Sequence, residues 1–279
     1  MPQMISSLPA LCLFTLLPAA ALAQEVSVES QVPDIALTAV SSLPANPTPL
    51  AADDFCLNSG DAESALAKSV AAAGWGVMGE QQKNGYNFIA FVGETEDGTS
   101  GSCLLNKGNI GIFKGDRIVA LLYGEGERTS AVANVTPLEA GGLRVWDGDY
   151  LSRPVGDLHV DDTGLIRFGP IAKSDTFCQG AVEVPTLYDQ PIDVAREGLV
   201  KSGWTPVPAD AESRATWSDF VKNQVAGGLE ELHDCSPTGF GYCSYEYSRE
   251  TGQRLSVTTA GEGAEGRGPL IADYLVSCE

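Results

Sequence analysis

Positively charged residues and histidines are scarce in this chain of 279 residues. It has 17 Lys and Arg against 37 Asp and Glu, which gives a formal net charge of −20, and it has two His. Proteins bind nucleic-acid phosphates through clustered Lys and Arg, so this composition excludes a general nucleic-acid binder. The same sign of charge disfavours docking on anionic lipid. Two histidines cannot supply a three-histidine metal site, and we expect no bound metal.

Long apolar runs are confined to the start of the chain. The stretch from Leu8 ends in Ala21-Leu22-Ala23, the small-x-small pattern that a signal peptidase recognises. Its apolar core, Leu11 to Leu17, is too short to span a bilayer, and no later segment approaches the roughly 18 apolar residues that a span needs. We therefore expect residues 1–23 to be a signal peptide. The mature protein would be periplasmic or secreted, without a membrane span.

Six cysteines remain after the signal peptide, because the seventh, Cys12, lies within it. An even number in an exported chain predicts three disulfides, and the spacing does not fit a zinc site. Pairs within one half of the chain would let each half fold alone. We therefore expect Cys56–Cys103, Cys178–Cys278 and Cys235–Cys243, with Cys178–Cys235 and Cys243–Cys278 as the main alternative.

The composition divides the chain into four segments and predicts an α+β fold. After the signal peptide, residues 24–52 form a flexible Pro-rich linker. Residues 53–172 form a β-rich first domain, and residues 173–279 form a second domain with two helices followed by a four-stranded antiparallel meander. Each small domain would pack one or two helices on an antiparallel sheet and carry disulfides.

A short internal repeat supports two related domains. Residues 64–75 read SALAKSVAAAGW and residues 193–204 read DVAREGLVKSGW. Each predicts an amphipathic helix that ends at a glycine in the left-handed conformation, and chance similarity is the alternative explanation. Asp61 is the expected N-cap of the first helix, and Pro191 suits the first turn of the second.

The other elements follow from apolar periodicity and turn residues. A third helix is expected over Ala211 to Val225, with Trp217, Phe220, Val221 and Val225 on one face. The first domain should contain strands at 86–92, 117–123, 142–146 and 165–168. The second should contain strands at 229–233, 241–247, 254–259 and 269–277. This order of elements resembles secreted protein inhibitors with tandem helix-plus-sheet repeats, such as the β-lactamase inhibitory proteins. The resemblance includes no sequence motif and implies no particular site residue.

Two motifs that suggest chemistry have simpler explanations. Asp162-Thr163-Gly164 is the tripeptide of aspartic proteases, but that chemistry needs two carboxylates and the motif occurs once, so a hairpin turn is expected. Gly261, Gly263 and Gly266 have the dinucleotide-binding spacing. However, Gly268-Pro269 follows them where a helix would be required, so we expect a loop and no cofactor.

Serine and carboxylate chemistry is also weakly supported. Ser100 and Ser102 lie in a Gly-rich turn, yet neither histidine lies in a recognisable partner motif for a serine hydrolase. Acidic groups occur at residues 94–97, 147–149 and 157–162, where solvated turns, weak calcium sites and a glycosidase-like carboxylate pair are all open. The sequence therefore favours a non-enzyme, with an exported hydrolase using paired carboxylates as the alternative.

The loop from Asp234 to Cys243 is the best candidate for a binding site. A Cys235–Cys243 disulfide would close it and display Phe240 and Tyr242, and rigid aromatic residues lose little entropy on binding. Alternatively, both rings cover the domain's own core. We predict an exported, acidic binding or envelope protein, of which an inhibitor-like protein-binding module is one form. Asp234, Phe240 and Tyr242 would contact a basic protein partner.

Overall fold

The computed structural model describes residues 26–51, 53–57, 64–236, 239–263 and 267–278. The predicted signal peptide and the predicted cap Asp61 lie outside these residues. Within them the chain forms 19 strands and four α-helices, so it is mostly β-sheet with few helices. The expected α+β class therefore holds only in the coarse sense that both kinds of element occur.

The elements are numbered along the chain. The first part contains β1 (Val28–Ser30), β2 (Ile35–Ala39), α1 (Ala65–Ala72), β3 (Gly76–Lys83), β4 (Tyr86–Val92), β5 (Glu94–Asp97), β6 (Cys103–Asn106), β7 (Asn109–Lys114), β8 (Arg117–Gly124), β9 (Asn134–Pro137), β10 (Leu143–Trp146), β11 (Pro154–Val160) and β12 (Ile166–Gly169). The second part contains β13 (Ser174–Phe177), β14 (Val182–Pro185), α2 (Ile192–Lys201), β15 (Thr205–Pro206), α3 (Ala211–Thr216), α4 (Asp219–Ala226), β16 (Leu232–Cys235), β17 (Cys243–Ser248), β18 (Arg254–Ala260) and β19 (Leu270–Ser277).

Three larger sheets and two hairpins arrange these strands. The first sheet has the order β2-β8-β7-β4-β3 and the second has the order β1-β12-β11-β10-β9. Buried side chains from both, such as Phe88 of the first and Phe168 of the second, share one apolar cluster, so the two sheets pack against each other. The third sheet has the order β15-β17-β18-β19, with β16 also on β17, and β5-β6 and β13-β14 are separate hairpins.

Part of the segment predicted to be a flexible linker instead forms strands of the sheets. Strand β1 pairs in parallel with β12, and β2 pairs antiparallel with β8. Ile35 and Leu37 of β2 are buried, and the side-chain amide of Asn46 donates to the carbonyls of Gly74 and Gly93, each at 3.1 Å. The linker prediction is therefore wrong for residues 28–39, and the buried side chain of Asn46 anchors the chain after them. The sequence did not predict these strands, because prolines separate short apolar runs and each run is too short to show the alternation of apolar and polar residues that is typical of a strand.

Both repeated segments form helices that end as predicted. Helices α1 and α2 are followed by Gly74 with φ of +90° and Gly203 with φ of +92°, in the left-handed region that favours glycine. Ser64 caps α1, since its hydroxyl accepts from the amide of Ala67 at 3.0 Å. Pro191 lies at the N-cap position of α2 rather than in its first turn.

The predicted third helix is interrupted. Trp217 adopts an extended backbone (φ −61°, ψ 139°), which separates α3 from α4. The indole of Trp217 is buried and donates to the carbonyl of His233 at 2.8 Å, which holds this break against β16. Val221 is buried, but Phe220 is 39% exposed and does not share the apolar face as expected.

The predicted strands of the second part occur as a meander. Strands β16 to β19 pair in sequence, each antiparallel to the next. Residues of α2 and α4 lie in the same apolar cluster as this sheet. The sequence did not reveal the β13-β14 hairpin, which precedes α2 and packs Val182 and Val184 into that cluster. Among the described residues, no helix is long and apolar enough to cross a membrane.

The three disulfides are Cys56–Cys103, Cys178–Cys278 and Cys235–Cys243, the pairs that the sequence predicts. Each joins residues within one half of the chain. The buried apolar residues likewise form separate clusters, two drawn from residues 35–168 and one drawn from residues 182–276. The division into two domains remains a prediction that agrees with this separation.

Candidate functional site

A buried arginine connects the second sheet with the later part of the chain. Arg144 of β10 is 2% exposed. Its guanidinium donates to Asp157 of β11 at 2.9 and 3.2 Å, and to Asp175 of β13 at 2.7 and 2.9 Å. The amide of Ala172 also donates to Asp157, at 2.8 Å, and the hydroxyl of Tyr274 on β19 donates to Asp175. One cation is thus held in two forked pairs by carboxylates from different sheets.

The two carboxylates keep this arginine charged. Burial alone would lower the pKa of Arg144, but hydrogen bonds and attraction from Asp157 and Asp175 raise it above its usual value. Forked pairs between a guanidinium and a carboxylate are the strongest geometry for such contacts. If one carboxylate moved away from Arg144, a charge would be left buried without a partner. Because that is costly in free energy, the cluster resists separation.

Aromatic rings cover the arginine on its remaining side. The guanidinium carbon lies 5.5 Å from the ring centre of Tyr188, which in turn contacts Trp146 at 5.5 Å and Tyr274 at 4.7 Å between ring centres. Burial raises the pKa of Tyr188 to about 12 and also raises that of Tyr274, so both hydroxyls stay neutral at ordinary pH. The rings and the ion cluster together form a fixed surface.

This surface is the floor of a cleft of about 990 Å³. Its volume lies at the upper end of the range typical of ligand sites. The walls come from β9 and the turn after it, from the loop at 150–152, and from β13 and β19. The aromatic residues that line the cleft are Trp146, Tyr150, Phe177, Tyr188, Tyr242 and Tyr274.

The charges that face the cleft are mostly negative. Glu139 and Asp273 line it and are exposed, and neither forms an ion pair among the described residues. Arg144 is the one Lys or Arg among the described lining residues, and its charge is compensated by two aspartates. His159 also lines the cleft and is exposed. The described residues that line the cleft therefore offer carboxylates to a ligand and no uncompensated Lys or Arg.

The three predicted binding residues are placed differently with respect to this cleft. Tyr242 lines it and is 39% exposed. Phe240 is half-buried beside Tyr242, with their ring centres 6.0 Å apart, but it is not among the described lining residues. Asp234 is exposed outside the cleft, and its carboxylate accepts from the amide of Cys235 at 2.8 Å. Residues 237 and 238 of the loop lie outside the described residues.

Of the acidic groups noted in the sequence, those at Asp147 and Asp161 organise turns, whereas Glu94–Asp97 form strand β5 and Asp157 is buried in β11. Asp147 accepts from the amides of Arg153 at 2.9 Å and Asp149 at 3.3 Å, while burial raises its pKa. Asp161 accepts from the hydroxyl of Thr163 at 2.6 Å, which is the main cause of its lowered pKa. Asp162-Thr163-Gly164 forms a turn, as expected, with φ of +84° at Gly164.

One further group brings possible metal ligands close together. Cys56, Asp97 and Cys103 have ligand atoms within 4.8 Å of one another. The two sulfurs are joined in a disulfide, so neither provides the thiolate that a metal would bind. In this oxidised form the disulfide links Cys56 to the start of β6 and so attaches the β5-β6 hairpin to the segment around Cys56.

Sequence reasoning missed Arg144, Tyr188 and Tyr274. Arg144 alternates with buried Leu143 and Val145 in a strand, a pattern that predicts an outward-facing residue in contact with water. It is buried because the β13-β14 hairpin and β19 cover this face. The sequence of that hairpin has no clear pattern that predicts strands, so the burial of Arg144 beneath it could not be predicted.

Comparisons of the chain with protein-family models, with curated proteins and with solved structures found no match.

Proposed function

We propose that this protein is an exported binding protein that holds an extended, basic segment of a partner protein in the cleft. The observation that carries the proposal is the cleft itself, a large aromatic-lined groove with exposed carboxylates, whose lining arginine is already neutralised. Because the groove has exposed carboxylates and no uncompensated Lys or Arg of its own among the described residues, it is complementary to the Lys and Arg side chains of a ligand. The three disulfides agree with an oxidising compartment, and we place the protein in the periplasm or outside the cell.

The extended shape of the proposed ligand follows from strand edges along the cleft. Consecutive residues line it from both Ser174–Phe177 of β13 and Ala272–Val276 of β19. Alternate side chains of a strand point to opposite faces, so an uninterrupted run of lining residues indicates that the strand's edge borders the cavity. Strand β13 pairs with β14, and β19 pairs with β18. On its other side β19 is bonded at its start, where Ile271 exchanges backbone hydrogen bonds with Asp189 and Gln190, so the edge open to a ligand is the later part of the strand, residues 272–276. A free edge accepts an added strand through main-chain hydrogen bonds.

Two exposed apolar side chains lie beside these edges. Leu275 of β19 is 66% exposed and Tyr242 is 39% exposed, and both line the cleft. They would contact apolar side chains of a bound segment, while Glu139 and Asp273 would contact its Lys or Arg side chains. The net charge of −20 would also steer a basic partner and raise its association rate.

The test is a binding titration of the full chain with two capped peptides of equal length, one alternating Lys and Val and the other alternating Glu and Val. We expect saturable binding of the Lys-Val peptide alone. Added salt should weaken this binding mainly through the association rate. Equal binding of both peptides, or no saturable binding of either, would contradict the proposal.

A matched pair of variants tests the location. Tyr242→Ala with Leu275→Ala should weaken binding at least about tenfold if these residues are anchors. The control is Phe220→Ala with Phe55→Ala, since these side chains are 39% and 71% exposed and lie outside the cleft lining. A loss as large in the control as in the cleft variant would place the site elsewhere.

A further inference from the structure

Three neighbouring strands of the first sheet place a tyrosine and two cations side by side. Tyr86 of β4 lies directly opposite Lys114 of β7, and Lys114 lies directly opposite Arg117 of β8. Residues directly opposite each other in an antiparallel pair project from the same face of the sheet. The ammonium group of Lys114 accordingly lies 5.5 Å from the ring centre of Tyr86.

The two cations lack a counter-charge. Among the described residues neither Lys114 nor Arg117 forms an ion pair. This is notable in a chain with 37 acidic and 17 basic residues. Like charges directly opposite each other destabilise a sheet, and an anion bound between them would remove this repulsion. Asp116 in the same turn is exposed without pairing to either, and the carboxylate of nearby Asp161 is occupied by Thr163 and Leu165.

These residues line a second cavity, of about 420 Å³, which is distinct from the cleft. Its lining residues are Val26, Ser27, Tyr86, Lys114, Arg117, Thr163, Gly164 and Leu165. None of these borders the cleft.

The tyrosine places a hydrogen-bond donor at the cavity. Tyr86 is 5% exposed and lines the cavity, together with the exposed side chains of Lys114 and Arg117. The hydroxyl oxygen lies 3.5 Å from the position that a Cβ would take at Gly164, so it points at this turn and into the cavity. A hydroxyl donates one hydrogen bond, so an oxyanion in the cavity would have this donor within reach.

We propose that this cavity binds a phosphate or sulfate group carried by a small polar molecule. Arg117 and Lys114 would neutralise the oxyanion, and the hydroxyl of Tyr86 would donate a hydrogen bond to it. The volume exceeds that of a lone oxyanion and falls in the range of small-molecule sites, which leaves room for the group that carries the charge. The site does not depend on the peptide cleft proposed above.

The experiment is a calorimetric titration of the full chain at constant ionic strength with inorganic phosphate, sulfate, glycerol phosphate and acetate. We expect saturable binding of the tetrahedral anions, tightest for glycerol phosphate. Acetate binding as tight as phosphate binding would overturn the assignment to a tetrahedral oxyanion. Equal affinity for inorganic phosphate and glycerol phosphate would overturn the proposal that the cavity also holds the carrier. No saturable binding of any anion would overturn the site.

Variants with matched charge locate the binding. Lys114→Gln with Arg117→Gln should weaken glycerol phosphate binding at least about tenfold, and Tyr86→Phe at least about fivefold, because hydrogen bonds to charged groups are strong. The control is Lys68→Gln with Lys173→Gln, which removes the same charge from two exposed residues outside the cavity. Losses in this control equal to those in the cavity variant would show that only net charge matters and would overturn the proposal.

Discussion

At the scale of single residues, Arg144 joins strands from both halves of the chain. Its guanidinium is the point at which β10, β11, β13 and β19 meet through side-chain hydrogen bonds. The contrast with Arg167 is informative, because Arg167 pairs with Glu29 at 3.2 Å while both side chains stay nearly half exposed. Ion pairs exposed to water contribute little, whereas removal of one partner from a buried pair leaves a charge without compensation.

Arg144→Met should therefore lower the free energy of unfolding by about 3–5 kcal/mol, since Asp157 and Asp175 would be buried without their cation. Arg167→Met should change it by less than about 1 kcal/mol. Urea denaturation of both variants measures the difference. Adding Asp157→Asn and Asp175→Asn to Arg144→Met should recover part of the loss. A cost for Arg144→Met no larger than that for Arg167→Met would contradict the role of this cluster.

At the scale of elements, helix α2 shows how two glycines in one segment can have opposite effects. Gly198 lies inside the helix, where an added Cβ would meet nothing within 4 Å. Gly203 follows the helix with φ of +92°, and an added Cβ would also meet nothing there. The difference between them is therefore backbone conformation alone, because steric contact is absent at both positions.

Gly198→Ala should raise the free energy of unfolding by about 0.5–1 kcal/mol, because alanine loses less conformational entropy in a helix. Gly203→Ala should lower it by about 1–2 kcal/mol, because an L-residue is strained in the left-handed region. Thermal denaturation of the two single variants compares the signs directly. A stabilising Gly203→Ala would show that the chain after α2 relaxes out of this conformation.

At the scale of the whole molecule, the chain combines separate apolar cores with a polar contact between its halves. The disulfides and apolar clusters lie within the halves, which favours two units that each fold alone. The pair between Arg144 and Asp175 crosses the proposed boundary and is almost fully buried. The two halves are thus predicted to be independent in their cores and coupled by the Arg144 cluster, by the ring contact of Trp146 with Tyr188 and by the exposed ion pair of Arg153 with Asp189.

A fragment of residues 173–279, expressed in an oxidising compartment, tests this division. We expect it to fold with Cys178–Cys278 and Cys235–Cys243 intact, because its apolar cluster is drawn from its own residues. Asp175→Asn should be neutral or stabilising in the fragment, where Arg144 is absent, but destabilising by about 3–5 kcal/mol in the full chain. A fragment that is unfolded by circular dichroism would contradict the two-domain prediction.

The sequence by itself determined features that depend on local chemistry or on simple pairing. The glycines after α1 and α2, the turn at Asp162-Thr163-Gly164 and the four strands of the meander follow from backbone preferences and short-range periodicity. The three disulfides follow from an even count of cysteines and from the expectation that each half is closed. For the glycines, the turn and the meander, the determining interactions lie close together in the chain, whereas Cys178–Cys278 joins residues 100 positions apart and was predicted by pairing within one half.

Only the tertiary structure decided where the early segment goes and where the candidate site lies. Residues 28–30 and 35–39 become strands because β12 and β8 offer them open edges, although both partners are more than 80 positions away in the chain. Arg144 becomes buried because a hairpin from the other half covers its face of the sheet. Tyr242 borders the cleft, while Phe240 and Asp234 do not, because the path of the disulfide-closed loop between β16 and β17 sets which side chain faces the groove. Such long-range contacts leave no period or motif in the sequence.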